Sequence, residues 1–425
     1  MDDKNIDQEK FLKLLKEGWP VKTAAKTCNI PWWIARKIAY QNNIRYSIGE
    51  GLKRFKRLIR GYEVDFDPPQ FTDEELIKAL VQRAEYVFKV QFQHYNTIER
   101  EALCRIILKS LPKNLQERAL AYVLTLIYRK KTTHMDIARI IHKHGLLQNI
   151  KISSVADLTR IWMGGANPLR LKKEIRFIKG KLEYFIGRAL GDSSVPHKNS
   201  KRKGMYLYDK DRDSLEYAAE ILKEMGVHCK LYKRTTRNTY SLYHQHVLLY
   251  YILRALRDSI TAEEYSRFLT LSEDLAWSFV QGLADSEGSV SLNWTNFGDP
   301  CIRINIVNTK EHILKICQRA LLENEIISDI NYKNKEKTKI IDLVINNKMS
   351  ILKCMEKQIF LMRYKKEKLE NLISLTYNRT PPSSSSFQLL IQITLNLFQN
   401  VKRGRSPCLS SPQVKGKMRK TMLQA

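Results

Sequence analysis

Apolar residues recur at three- and four-residue spacing through the first 180 positions, then give way to short alternating runs. Near the start, Phe11, Leu12, Leu14 and Leu15 mark a first helix that Gly18 and Pro20 close. Ala24 and Ala25 sit on a short second helix, Asn29-Ile30-Pro31 makes a turn, and residues 32–40 form a third helix with Ile34 and Ile38 inward. Residues 50–180 stay helical, with long amphipathic stretches over 71–111. Thr133-His134-Met135-Asp136 has the pattern of a capping box opening a helix over 137–144. Gly145 ends that helix, and Ser154-Val155-Ala156-Asp157 opens another.

From about 181 to 375, helices alternate with strands, and the pattern occurs twice. The first unit predicts a helix over 183–191, a strand over 205–208, a helix over 214–225, strands over 229–234 and 239–243, and a helix over 246–256. The second predicts a helix over 274–286, strands over 289–294 and 301–307, a helix over 311–324, strands over 328–333 and 339–345, and a helix over 349–360. Landmarks keep a near-constant offset: 95 residues from Asp192 to Glu287, 99 from Gly226 to Glu325, and 100 from Tyr240 to Ile340. One domain of two similar halves follows, in the α+β class, preceded by an all-α region. On the strands Ile302, Ile304 and Ile306 alternate with Arg303, Asn305 and Val307, and Val290 and Leu292 with Ser289, Ser291 and Asn293. Met205 and Leu207 alternate with Tyr206 and Tyr208, and Leu231 with Lys230, Tyr232 and Arg234. One sheet face is thus apolar and the other rich in base- and phosphate-contacting residue types, Asn331 and Lys333 among them, with few acids.

Charge sharpens this picture. The 425 residues carry 73 Lys and Arg against 44 Asp and Glu, a net charge of +29, which implies a polyanionic partner. Nucleic acid fits better than an anionic membrane: no run approaches the ~20 apolar residues of a spanning helix. The polar, acidic start is no secretory signal, so a cytoplasmic location is expected, or an organellar or nucleoid-associated one in a eukaryotic cell. Seven scattered cysteines without a CxxC pair suggest neither a zinc ribbon nor a disulfide framework. Helix, small residues, tight turn and helix in residues 1–50 resemble a helix-turn-helix module, whose third helix would offer Arg36 and Lys37 to DNA. The helices around 137–160 form either a second such module or a plain helical hairpin. Residues 379–425, with Pro-Pro-Ser-Ser-Ser-Ser near their start and no acid, read as a basic, mostly disordered tail.

The helices that open the two halves hold the informative residues. The first ends Gly187-Arg188-Ala189-Leu190-Gly191-Asp192, the second Gly282-Leu283-Ala284-Asp285-Ser286-Glu287. Gly187/Gly191 and Gly282/Ser286 place small residues four apart on one face, so the two backbones can pack closely. Asp192 and Glu287 would then meet where both helices end. Two carboxylates at negative helix termini repel, and a divalent cation with oxygen ligands removes that penalty, so the geometry predicts a Mg²⁺ site.

These segments resemble the paired LAGLIDADG motifs of homing endonucleases. The second is close; the first departs at Arg188, where an apolar residue is usual, and at Ser193, where glycine is usual. The resemblance covers about 181–375 and leaves 1–180 unexplained. It implies a single-chain pseudo-dimer of two αββαββα halves whose sheets form a saddle that binds double-stranded DNA. It also implies a monomer that makes a double-strand break with a short 3′ overhang, using Mg²⁺ or Mn²⁺. Asp192 and Glu287 would bind the metals, with the backbone carbonyls of Gly191 and Ser286 as further ligands. Lys210 and Asn308, at strand-to-helix junctions taken as equivalent, are candidate catalytic residues, and Lys365 and Lys366 are others. The alternatives are a non-enzymatic DNA-binding regulator on a decayed form of this fold, or an RNA-intron maturase. The expected domains are 1–50, 51–180, 181–378 and 379–425, with a fragment near 176–378 able to fold alone.

Overall fold

The computed structural model describes residues 8–17, 19, 21–42, 71–129, 132–196, 203–234, 239–295, 299–335 and 338–377. The expected basic tail, the helix-closing Gly18 and Pro20, and positions 51–70 lie outside these residues. The chain divides into two units, Met1–Gln70 and Phe71–Ala425.

In the first unit, α1 (Gln8–Lys16), α2 (Val21–Thr27) and α3 (Trp32–Gln41) close around Phe11, Leu15, Ala24, Ala25, Ile30, Ala35, Ile38 and Ala39. The turn between α2 and α3 places Asn29 at φ 52°, and the Ile30 N–H donates back to the Ala25 carbonyl at 2.8 Å. Asn tolerates this left-handed conformation because its side chain is short and polar.

The second unit begins with helices that are capped as their sequences demand. α4 (Asp73–Val81) and α6 (Thr97–Ser110) open on reciprocal capping boxes, Thr72 with Glu75 and Asn96 with Glu99. α5 (Ala84–Phe88), α7 (Lys113–Tyr128), α8 (His134–Lys143) and α9 (Ile152–Met163) complete this part. The Thr133 hydroxyl caps α8 by accepting from the Asp136 N–H. The stretch expected to be helical over 71–111 is interrupted by β1 (Val90–Gln93), which pairs in parallel with β2 (Ile175–Ile178). Four residues are too few for their alternation to stand out from flanking helical spacing.

The repeat follows. In the first half α10 (Lys181–Asp192) leads into β3 (Ser193–Ser194) and β4 (Gly204–Asp209), then α11 (Arg212–Glu224), β5 (Cys229–Arg234), β6 (Thr239–Gln245) and α12 (Val247–Arg257); α13 (Ala262–Leu269) closes it. In the second half α14 (Glu273–Glu287) leads into β7 (Gly288–Trp294) and β8 (Pro300–Asn308), then α15 (Glu311–Glu323), β9 (Asp329–Lys335), β10 (Thr338–Ile345) and α16 (Lys348–Glu356); α17 (Arg363–Tyr377) closes it. The sheets have matching antiparallel orders, β3-β4-β6-β5 and β7-β8-β10-β9. This is the expected αββαββα arrangement in both halves.

One hydrophobic core runs from Leu76 to Ile373. A division at 180/181 therefore cuts through packed structure, and residues 71–180 belong with the repeat. Tyr95 donates to the buried Glu183 carboxylate at 2.8 Å, Lys179 pairs with the buried Glu99 at 2.7 Å, and Phe92 meets Phe177 edge-on. The periodicity of 71–180 reports helices with apolar faces but not which partner those faces meet.

Candidate active site

The absence of side chains sets the geometry. α10 and α14 lie against each other, and a Cβ on Gly187 would fall 2.3 Å from the Phe279 carbonyl oxygen. One on Gly282 would fall 2.0 Å from that of Tyr184. Glycine alone permits this approach. At the far end Gly191 meets the second motif, where a Cβ would lie 2.1 Å from Ser286 Oγ and 2.7 Å from Glu287 Cγ. Asp192 is the last residue of α10 and Glu287 the last of α14, and a strand begins at the next position in each half. Both acids thus stand at the negative ends of touching helices.

Their environment disfavours the charged form. Burial pushes Asp192 up to about 6; Arg188 and Lys365 oppose the shift and Asp209 adds to it. Burial first, and the Asp192 charge second, push Glu287 up to about 7. Lys365, buried on α17, donates to the carbonyls of Ala284 at 3.0 Å and Asp285 at 2.7 Å, which places its ammonium at the end of α14. Burial pulls it down to about 8. Among the described residues no cluster of three or more His, Cys, Asp or Glu could hold a metal. The two acids would hold one only with backbone carbonyls, such as those of Gly191 and Ser286, and solvent or phosphate oxygens. That all-oxygen donor set fits Mg²⁺ or Mn²⁺.

A family model, the LAGLIDADG-like domain, matches residues 179–269 and again residues 274–358. This region is a tandem LAGLIDADG domain. Similar solved structures include I-DmoI in complex with DNA and Mn, 16% identical over 43% of this chain and 97% of that one, with a TM-score of 0.32. The N-terminal LAGLIDADG domain of DUF199/WhiA is 13% identical over 44% and 85%, with a TM-score of 0.31. Full-length DUF199/WhiA from Thermatoga maritima is 12% identical over 52% and 68%, with a TM-score of 0.33. No curated protein matches the chain.

The two LAGLIDADG halves are not chemically equal. Arg188 is fully buried; it donates to Asp192 at 3.3 Å, to Asp209, and to the Ser214 hydroxyl at 2.7 Å, and that hydroxyl donates to Asp209 at 2.9 Å. The corresponding second-half residue is Leu283, buried and apolar. Arg188 was visible in the sequence as a departure from the motif, and Asp192 lies one helical turn on, but its other two partners are 21 and 26 positions away. Asp285, which corresponds to Leu190 in the repeat, is committed elsewhere. It accepts from the Leu361 and Met362 N–H groups and from the Tyr184 hydroxyl, tying α14 to α10 and to the start of α17.

Strand register revises one equivalence. Ser193 faces Leu207 and Gly288 faces Ile306, so Asn308 corresponds to Asp209, not to Lys210. Both side chains accept from the N–H two residues on at 2.9 Å. Lys210 is exposed within the first of these turns, and Asn308 is buried. Tyr206, Tyr208, Lys230, Tyr232 and Arg234 share the outer face of the first sheet. Ser291, Asn293, Arg303, Asn305, Asn331 and, by register, Lys333 lie on that of the second. Asp342 and Asp329 also take positions on this second face, so it is less free of acid than the alternation suggested. Arg36 and Lys37 belong to the other unit, exposed on α3.

The raised carboxyls set a pH dependence. A carboxyl raised on folding stabilises the folded state below its unfolded value, and that contribution is lost as pH rises through the folded one. For Asp192 and Glu287 the loss therefore spans roughly pH 4 to 7. Metal-free wild type is expected to melt about 2–4 °C below an Asp192→Asn/Glu287→Gln variant at pH 8, with the gap closing at pH 5. Mg²⁺ should narrow it at pH 8. Paired thermal melts check this; an equal gap at both pH values would place the acids in ordinary solvent.

Proposed function

We propose that the LAGLIDADG domain is a site-specific endonuclease that cuts both strands of duplex DNA and depends on a divalent metal. The carrying observation is the placement of one half-buried carboxylate from each half at the end of touching motif helices, beside backbone carbonyl oxygens. Asp192 and Glu287, with the Gly191 and Ser286 carbonyls, are the proposed ligands. A bound Mg²⁺ or Mn²⁺ would polarise the scissile phosphate and acidify an attacking water. Lys365 contributes a fixed positive charge beside both acids, where negative charge grows on the phosphate. Lys210 is exposed and could meet phosphate, whereas Asn308 is buried and accepts from the Lys310 N–H, a positioning role at most; the outer faces of the two sheets hold the duplex.

A second reading is a DNA-binding regulator, favoured by one observation: Arg188 occupies an oxygen of Asp192 and supplies a cation from within the protein. Incubating the full chain with a plasmid library and Mg²⁺ or Mn²⁺, then sequencing the ends, separates the two. Recurrent ends with short 3′ overhangs support the nuclease; retained binding without ends supports the regulator.

The first unit is proposed to add a separate duplex contact through α3. If Arg36 and Lys37 each touch one phosphate, their double alanine variant should flatten the salt dependence by roughly two logarithmic units of slope and shorten the footprint on one side. Footprinting over a salt series measures both, and unchanged values would make this unit a plain three-helix module.

A further inference from the structure

The internal repeat shows which groove-face positions differ between halves. Aligned by strand register, Tyr206 corresponds to Asn305, Tyr208 to Val307, Tyr232 to Asn331 and Tyr243 to Val344. Four tyrosines on one sheet thus stand where the other has two asparagines and two valines. Tyr206, Tyr208 and Tyr243 form an assembled surface, with Tyr232 on the same sheet face. Tyr206 stacks on Tyr208 with ring centres 6.1 Å apart and planes 9° from parallel, and it meets Tyr243 at 4.9 Å. The Arg234 guanidinium lies 5.1 Å from the centre of the Tyr208 ring. Tyr206 and Tyr232 are 40% and 46% exposed, so this aromatic area meets solvent, not core. The second sheet instead presents Arg303, whose Nε donates to Asn305 Oδ1 at 2.7 Å.

In the major groove, purines and cytosine offer hydrogen-bonding atoms, while the C5 methyl of thymine is the one apolar group. Ring faces and edges complement that methyl, and the phenol hydroxyls can meet phosphate oxygens. Arg and Asn complement purine edges. We infer that the halves read their half-sites by different chemistry: Tyr206, Tyr208, Tyr232 and Tyr243 read thymine methyls, so the half-site beneath the first sheet is thymine-rich, whereas Arg303, Asn305 and Asn331 read hydrogen-bonding purine edges. This rests on the reading that the outer sheet faces lie on duplex DNA.

The test selects duplexes from a random library with the full chain in EDTA, then replaces thymine by deoxyuridine in one half-site at a time. In the half-site under the first sheet, affinity should fall about fourfold for each buried methyl removed. In the other it should change by less than about twofold. Tyr206→Ser/Tyr208→Ser/Tyr232→Ser/Tyr243→Ser together should abolish the deoxyuridine effect, while Arg303→Gln should leave it intact and relax selection in the opposite half. Selected sites without thymine enrichment, equal sensitivity of both halves, or sensitivity that survives the tyrosine substitutions would overturn the inference alone. Failure to select any duplex would overturn it together with the reading beneath it.

Discussion

Asp192→Asn and Glu287→Gln should each lower cleavage on the order of 10³-fold or more while leaving duplex affinity within about threefold. Both substitutions keep shape and hydrogen-bonding capacity. The amide oxygen introduced by Asp192→Asn would still accept from the buried Arg188, so the helix pair should stay closed. What disappears is the negative charge that holds metal at the end of each motif helix. Affinity should survive because the sheet faces, not the acids, carry the proposed contacts with DNA, and removing a carboxylate eases the approach of phosphate. Single-turnover cleavage beside gel-shift titration measures the two effects separately. An Asp192→Asn chain that cuts both strands at the parental rate would rule out a site built from both acids.

Truncation to 176–378 should abolish cooperative folding, whereas 71–378 should melt in one transition. The shorter fragment closes the repeat but removes β1, α6 and the other helices that cover it. Phe177, Leu182, Tyr265 and Phe268 are almost fully buried in the complete unit, and Tyr95 packs near Phe268. Covering each such side chain is worth about 1.5–3 kcal/mol, and a whole domain is stable by only about 5–15 kcal/mol. Glu183, which burial raises to about 7, also loses the Tyr95 hydroxyl that donates to it at 2.8 Å. Circular-dichroism melts and limited proteolysis of both fragments decide the point. A single sharp transition of 176–378 near that of 71–378 would show that the helical region is dispensable.

Much of the site was legible along the chain because it rests on local constraints. Small residues four apart define a helix face wherever the helix sits, so Gly187, Gly191, Gly282 and Ser286 announced a close contact. The helices expected to stop at 191 and 286 put the next residue, an acid in each half, at the helix end. The two-residue period of Ile302, Ile304 and Ile306 sorted the strand faces before any sheet was known. The charge excess pointed to a polyanionic partner. Tertiary structure alone decided the matters that depend on distant partners. The Arg188–Asp192 pair is local to α10, but the bonds that join Arg188 to Asp209 and Ser214 link residues that share no periodic pattern and exist only once α10, β4 and α11 are packed. Asp342 reached the outer sheet face through the register of β10 against β8, which no strand specifies by itself. The helices of 71–180 carried apolar stripes that any core would satisfy. That they satisfy this one, through the pairing of β1 with β2 and the bond from Tyr95 to Glu183, is a property of the folded unit, because hydrophobic burial is non-directional and takes its partner from the completed packing.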